Sequence, residues 1–305
     1  MHGDLQKNAL RPGMLLLAVL VLVCACIPAS AGSWHRLGRF FSLNDFSDAA
    51  DDVPFSLHVL EVGKADSLLL ECGGEAMLVD GGTADRGEEV IRYLRRRGWD
   101  SLRYVVNTHP DADHIGGLAG VLEDFSVETY FCPELPDSLL PDTEEFRAVK
   151  NALAQKEMEP VYPADGQSFP LGEASVTIYQ PEVEAKSLNN ASLILYVAYK
   201  NTFFLLMGDA ELEEEEALLA QNRTLKADVL KVGHHGSETS TGKALLNAVT
   251  PRFAAISVAN DRNNLPRVKV LRRLQAAGTE VCRTDVSGTL LFLSDGKEVR
   301  LLTER

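Results

Sequence analysis

Cysteine is scarce in this chain. Of the five, Cys24 and Cys26 lie in an N-terminal apolar segment, while Cys72, Cys132 and Cys282 are scattered without a short paired spacing. That dispersal excludes a disulfide framework and a zinc ribbon. Cys72 and Cys282 fall in strand-like runs and read as small buried hydrophobes. Basic residues are also in deficit. Thirty Lys and Arg against 44 Asp and Glu leave a formal net charge of −14, which argues against generic coating of a phosphate backbone. A local cationic or metal-lined cleft could still take a phosphodiester. Repeats and low-complexity stretches are missing, which removes repeat architectures.

What is present is ordinary for a folded enzyme. Hydrophobic residues make up 45% and charged residues 24% of 305, enough for one large domain or two small ones with full cores. At the N-terminus, Lys7 and Arg11 precede an apolar stretch from Met14 to Ile27, followed by Ala29-Ser30-Ala31 and Gly32. This is the pattern of a secretory signal. Val23-Cys24-Ala25-Cys26 also resembles a bacterial lipobox, in which a lipid on Cys26 would attach the chain to a membrane. The apolar run is short for a membrane span, and a retained anchor is the third reading. All three place the remainder outside the cytoplasm, secreted or as an anchored lipoprotein. A core helix is disfavoured because no polar face alternates with the apolar one. The expected organisation is a signal over residues 1–31, a Ser- and Asp-rich linker over 32–53, and one catalytic domain over 54–305. The acidic run from Glu211 to Glu216 reads as a solvated helix face.

Beyond residue 53, strand-length apolar runs alternate with amphipathic helical runs. Phe55–Val62, Ser67–Cys72 and Ala76–Val79 read as strands, and Arg86–Arg97 as a helix ended by Gly98. Tyr104–Asn107 is a short β-rich run, and Ile115–Glu123 begins a helix. Helices are expected over Thr143–Lys156, Glu211–Gln221 and Val268–Ala277. Strands are expected over Val176–Tyr179, Ser192–Tyr199, Thr202–Met207, Asp228–Val232, Phe253–Val258, Glu280–Thr284, Thr289–Leu293 and Val299–Leu302. That is an α/β pattern with mixed sheets.

Reactive residue types gather at the strand ends, where loops can bring distant sequence into one cleft. Between His109 and His114, four candidate ligands fall within six residues: His109, Asp111, Asp113 and His114. Pro110 disfavours a helix before them, and Gly116-Gly117 permits close approach after them. A polar loop with an N-capping Asp would explain any one of these residues, but it explains all four poorly. Asp209 ends an apolar strand and begins a helix, as an N-cap or as a carboxylate between two cations. His234 and His235, flanked by glycines, follow another buried strand. These two motifs hold four of the seven histidines. Asp80, before Gly81-Gly82, is a turn residue or a carboxylate that orients a ligand histidine.

In this order, Asp80, His109 to His114, Asp209 and His234-His235 resemble the metallo-β-lactamase fold hydrolases. The usual motif, His-x-His-x-Asp-His, carries Asp111 here in place of its second His. Val62-Gly63-Lys64-Ala65-Asp66-Ser67, Asn189-Asn190-Ala191-Ser192-Leu193 and His234-His235-Gly236-Ser237-Glu238-Thr239-Ser240 sharpen the match. Together the motifs resemble the extracytoplasmic hydrolase domain of the bacterial DNA-uptake protein ComEC and its stand-alone relatives, from about residue 55 onward. The resemblance implies a four-layer αβ/βα sandwich with a metal cleft at one edge. It implies that His109 and Asp111 hold one ion and that Asp113 and His114 hold a second. Asp209 would bridge the two, and His234 or His235 would complete the second site. Asp80 or Asp113 would help position water.

The cofactors implied are two divalent ions, Zn2+ or Mn2+; replacing an imidazole by Asp111 favours harder ions such as Mn2+ or Mg2+. The implied substrate is a phosphodiester, with DNA as the substrate class, and no protein partner is implied. The competing readings are hydrolysis of another ester or amide, and a metal-binding domain with weakened catalysis. The latter rests on one departure: relatives carry a His where Leu265 stands, and Arg262 or Arg267 is left to contact phosphate. The Gly-Gln of the family's early Val-Gly-x-Gly/Ala-Asp-Ser stretch is also altered, to Gly63-Lys64-Ala65.

Overall fold

The computed structural model describes residues 46–181 and 186–305. The expected signal, the Cys26 lipobox and linker residues 32–45 lie outside the described residues. Strands β1 (Phe55–Val59), β2 (Leu68–Cys72), β3 (Glu75–Val79), β4 (Ser101–Val106) and β5 (Ser126–Phe131) open one sheet. Strands β6 (Gln167–Leu171), β7 (Ala174–Tyr179), β8 (Ile194–Tyr199), β9 (Thr202–Leu206), β10 (Val229–Lys231), β11 (Phe253–Ile256) and β12 (Glu280–Arg283) form a second. The chain then returns through β13 (Leu290–Ser294) and β14 (Val299–Thr303) to the first. The orders are β14-β13-β1-β2-β3-β4-β5 and β12-β11-β10-β9-β8-β7-β6. Strands β3 to β5 are parallel, as are β9 to β12.

Side-chain alternation explains the layers. In β1, Phe55, Leu57 and Val59 enter the core between the sheets, together with Leu70, Met77, Val197, Phe204 and Val229. The intervening His58 points the other way, where its Nδ1 lies 2.7 Å from the Tyr93 hydroxyl. Helix α1 (Gly87–Arg96) places Val90, Ile91 and Leu94 on the outer face of the first sheet. There it is joined by α2 (Ala112–Ile115), α3 (Leu118–Asp124) and α4 (Glu144–Gln155). The Thr143 side chain caps α4 by accepting the Phe146 N–H. On the second sheet lie α5 (Leu212–Ala220), α6 (Lys243–Val249) and α7 (Val268–Ala276). A single turn, α8 (Thr284–Ser287), links β12 to β13. The result is the expected four-layer sandwich. Among the described residues no helix is long and apolar enough to cross a membrane.

Three expectations are corrected. Residues 46–52, read as linker, form a 3-10 helix whose Ala50 packs with Leu291 and Leu293. Arg97 secures it, donating to the Ser47 carbonyl at 2.9 Å and to Asp51 at 2.7 Å. The helix expected from Ile115 is broken, α2 ending before Gly116-Gly117 and α3 starting after them. The acidic run is not a solvated face. Glu214 and Glu215 are 1% and 2% exposed. Glu214 accepts from Asn190 Nδ2 at 2.9 Å and from the Glu211 N–H at 2.8 Å, and Glu215 accepts the backbone N–H groups of Thr241 and Gly242.

Burial pushes the Glu215 carboxyl up to about 7, against the pull of the Gly242 and Thr241 N–H groups. The folded state therefore holds this proton more tightly than the unfolded chain. Its contribution is full below the ordinary 4.5 and is lost as pH rises through about 7; that shift corresponds to about 3 kcal/mol. Glu215→Gln is expected to flatten the fall in unfolding free energy between pH 5 and 7.5, measured in urea. A slope identical to wild type would show that Glu215 does not set it.

Candidate metal centre

Parallel neighbours open their C-terminal ends on the same edge of a sheet. Asp80 follows β3, the His109 segment follows β4, Asp209 follows β9, and His234-His235 follow β10. The two halves are stitched where the Leu193 N–H donates to the Thr108 carbonyl at 2.9 Å. Gly208 (φ +53°) makes this possible, since a Cβ there would sit 3.1 Å from that of Thr108. Gly117 has a similar reason. A Cβ would lie 2.1 Å from the Gly81 carbonyl oxygen, so α3 could not approach the Asp80 turn.

Tautomers follow from the hydrogen bonds at each Nδ1. His114 Nδ1 donates to Asp80 Oδ2 at 2.9 Å, and His235 Nδ1 donates to the Ser257 carbonyl at 2.9 Å. His109 Nδ1 lies 3.2 Å from Thr108 Oγ1 and 3.4 Å from Ser192 Oγ. In each ring Nε2 is left inward. His109 Nε2, His114 Nε2, His235 Nε2 and Asp209 Oδ1 are all buried with no hydrogen-bond partner among the described residues. They face one another: His114 Nε2 is 3.3 Å and His235 Nε2 3.8 Å from Asp209 Oδ1, and His235 Nε2 is 3.4 Å from Asp113 Oδ2. Ligand atoms of His109, His114 and Asp209 lie within 4.8 Å of one another, as do those of Asp113, His114 and His235. Buried polar groups are ordinarily satisfied, so this converging orphan set fits divalent cations.

The remaining expected residues are placed as follows. Asp111 is 40% exposed, with Oδ2 at 3.4 Å from His109 Nε2. His234 and His235 both adopt left-handed backbone, φ +46° and +51°. That conformation costs of order 1–3 kcal/mol per residue and turns the two rings apart. His235 enters the cluster with Asp113 and His114. His234 instead stands 3.8 Å from the other Asp209 oxygen and 3.3 Å from Glu211 Oε1. Asp80 corrects the expectation that it positions water. Fully buried, it accepts from Thr108 N and Thr108 Oγ1 at 2.7 Å, from Asn107 Nδ2 at 3.2 Å, and from His114. Its oxygens are committed, and it acts by orienting His114. Leu265 packs into the apolar cluster outside the second sheet, and Arg262 and Arg267 are exposed.

Three contributors were not singled out as site residues from sequence. Lys64 donates to Asp113 Oδ2 at 2.6 Å. Lys231, fully buried, stands 2.7 Å from Asp66 Oδ2, and Asp66 Oδ1 lies 3.7 Å from His235 Nδ1. A lysine ending an apolar strand just before the His pair was the available signal for this pair. Burial alone would raise the carboxyl groups of Asp66, Asp113 and Asp209. Lys231, His235 and His114 hold Asp66 below its ordinary range. His235, His114 and Lys64 do so for Asp113, and His114, His235 and His109 for Asp209. Burial would lower His114, but Asp209 and Asp80 raise it well above its ordinary value.

The metallo-β-lactamase superfamily model matches residues 60–259. The chain belongs to that superfamily. Among curated relatives, it is 29% identical to ComE operon protein 3 of Bacillus subtilis (strain 168), over 77% of this chain and 32% of that protein. It is 30% identical to Recombination protein 2 of Haemophilus influenzae, over 81% of this chain and 30% of that protein. The chain thus spans about a third of the length of these relatives. In fold it is similar to the metallo-β-lactamase fold protein YhfI from Bacillus subtilis: TM-score 0.52, 10% identity, 78% of this chain and 99% of that one.

Proposed function

We propose that this superfamily hydrolase is a dinuclear metal-dependent phosphodiesterase acting on nucleic acid outside the cytoplasm. The observation that carries the reading is the converging set of orphaned buried atoms, His109 Nε2, His114 Nε2, His235 Nε2 and Asp209 Oδ1. His109 and Asp111 would hold one ion. Asp113, His114 and His235 would hold the other, with Asp209 between them and His234 flanking the first. When bound, two ions such as Zn2+ or Mn2+ supply Lewis acidity toward a water and a phosphoryl oxygen. The chain's own part is to fix the ligands. Asp80 and the Ser257 carbonyl hold the His114 and His235 rings with Nε2 facing the cleft, and Lys64 anchors Asp113 at the cleft wall.

Asp111 in place of the motif's second His makes the site richer in carboxylate, and the similarity to a protein named Recombination protein 2 supports nucleic acid as the substrate. The signal pattern over residues 1–31, with its Cys26 lipobox, supports action outside the cytoplasm. The test is cleavage of single- and double-stranded DNA across Mn2+, Mg2+ and Zn2+. Cleavage that EDTA abolishes and Asp113→Ala lowers at least about 100-fold is expected. Hydrolysis of a lactone or β-lactam, with no diester cleaved under any of these ions, would contradict the reading.

A further inference from the structure

A cavity of about 490 Å³ adjoins the β4 end that carries the His109 segment, and nothing in the proposed chemistry uses it. Pro110 forms part of its wall, one residue from His109. Asn107, also on the wall, donates through Nδ2 to the His109 carbonyl at 2.7 Å. The floor is apolar and aromatic, with Tyr130, Phe146 and Leu153. At the mouth, Leu140 and Tyr162 are 50% and 51% exposed and form the rim's apolar part. The exposed Glu134, Lys150 and Glu159 complete the rim.

We propose that this cavity receives one unstacked nucleobase of a single-stranded nucleic acid whose scissile phosphate lies at the metal centre. The inference rests on the phosphodiesterase reading and narrows its substrate. A flat ring with a polar edge matches an apolar floor bounded by acid, amine and acid, and Tyr162 offers a face for stacking. An acyl chain would use the floor alone. A base in a duplex cannot enter without leaving its stack, so a single strand is the preferred form. With a net charge of −14, the chain lacks the general attraction for phosphate that other nucleic-acid binders use. Base stacking would supply affinity that the surface does not.

The experiment titrates the metal-free full chain with a fluorescent single-stranded DNA and with a strand of equal length built of abasic residues. A parallel assay measures cleavage of both with Mn2+. Wild type is expected to bind the base-bearing strand about ten-fold tighter. In Tyr162→Ala and Leu140→Glu, both at exposed positions, that ratio falls toward one. A ratio near one in wild type, or one that neither substitution moves, overturns the pocket. So does retention of an acyl lactone that both variants lose while their preference for bases persists. Base-dependent binding without cleavage under any divalent ion supports the pocket and counts against the phosphodiesterase reading alone.

Discussion

Asp209→Ala is expected to lower hydrolysis about 1000-fold while leaving the fold intact. Asp209 is 2% exposed, and its Oδ1 has no hydrogen-bond partner among the described residues although His114 Nε2 and His235 Nε2 lie within 3.8 Å. His234 Nε2 lies 3.8 Å from its other oxygen. Removing it takes away a carboxylate that reaches His114, His235 and His234. Loss of several kcal/mol of metal-derived charge stabilisation corresponds to about three orders of magnitude in rate. The structural cost is small because Asp209 belongs to no apolar cluster and Asp80 still accepts from His114 Nδ1. The readout is kcat/KM on a diester together with the melting temperature. Activity within tenfold of wild type would place the chemistry elsewhere.

Asp66→Ala has the largest expected effect on stability. It strands the Lys231 ammonium, which is fully buried and, among the described residues, otherwise donates to the Val232 carbonyl at 3.0 Å. Breaking one side of a buried ion pair costs about 3–5 kcal/mol, because the remaining charge is desolvated without compensation. For a domain of this size that is a fall in melting temperature of roughly 10 °C. Replacing both partners, Asp66→Leu with Lys231→Met, removes the unpaired charge and is expected to recover most of the loss. Thermal melts of the single and double variants decide it. A double variant as unstable as Asp66→Ala would mean that Asp66 works through His235, at 3.7 Å, rather than through Lys231.

The sequence shows most of the sandwich because its central strands alternate or run continuously apolar and its helices carry clear stripes and caps. Strands β5 and β6 escape that reading because both are sheet edges. Their outward residues are exposed, and β6 contains Pro170, which an edge tolerates. The packed turn over residues 46–52 is not legible because a Ser- and Asp-rich run looks solvated, and its anchor Arg97 lies far along the chain. The same blindness hid Glu214 and Glu215, whose partners lie in other loops.

At the site, ligand types and order are legible because strand ends concentrate them. The choice between His234 and His235 is not, since adjacent identical residues differ only through backbone φ/ψ and the Ser257 carbonyl that orients one of them. The roles of Lys64, Asp66 and Lys231 depend on contacts between distant segments, which no local pattern encodes. The turn residue Asp80 is legible as a strand-end carboxylate, but the four hydrogen bonds it accepts come from residues 27 to 34 positions away and have no local signature.

The two divalent ions proposed would share Asp209. Metal content after loading with Mn2+ or Zn2+ and dialysis against metal-free buffer tests it most directly, by elemental analysis of wild type and Asp209→Ala. Two ions per chain in wild type and one or none in the variant is the predicted result; fewer than two in wild type, or two in Asp209→Ala, would contradict it.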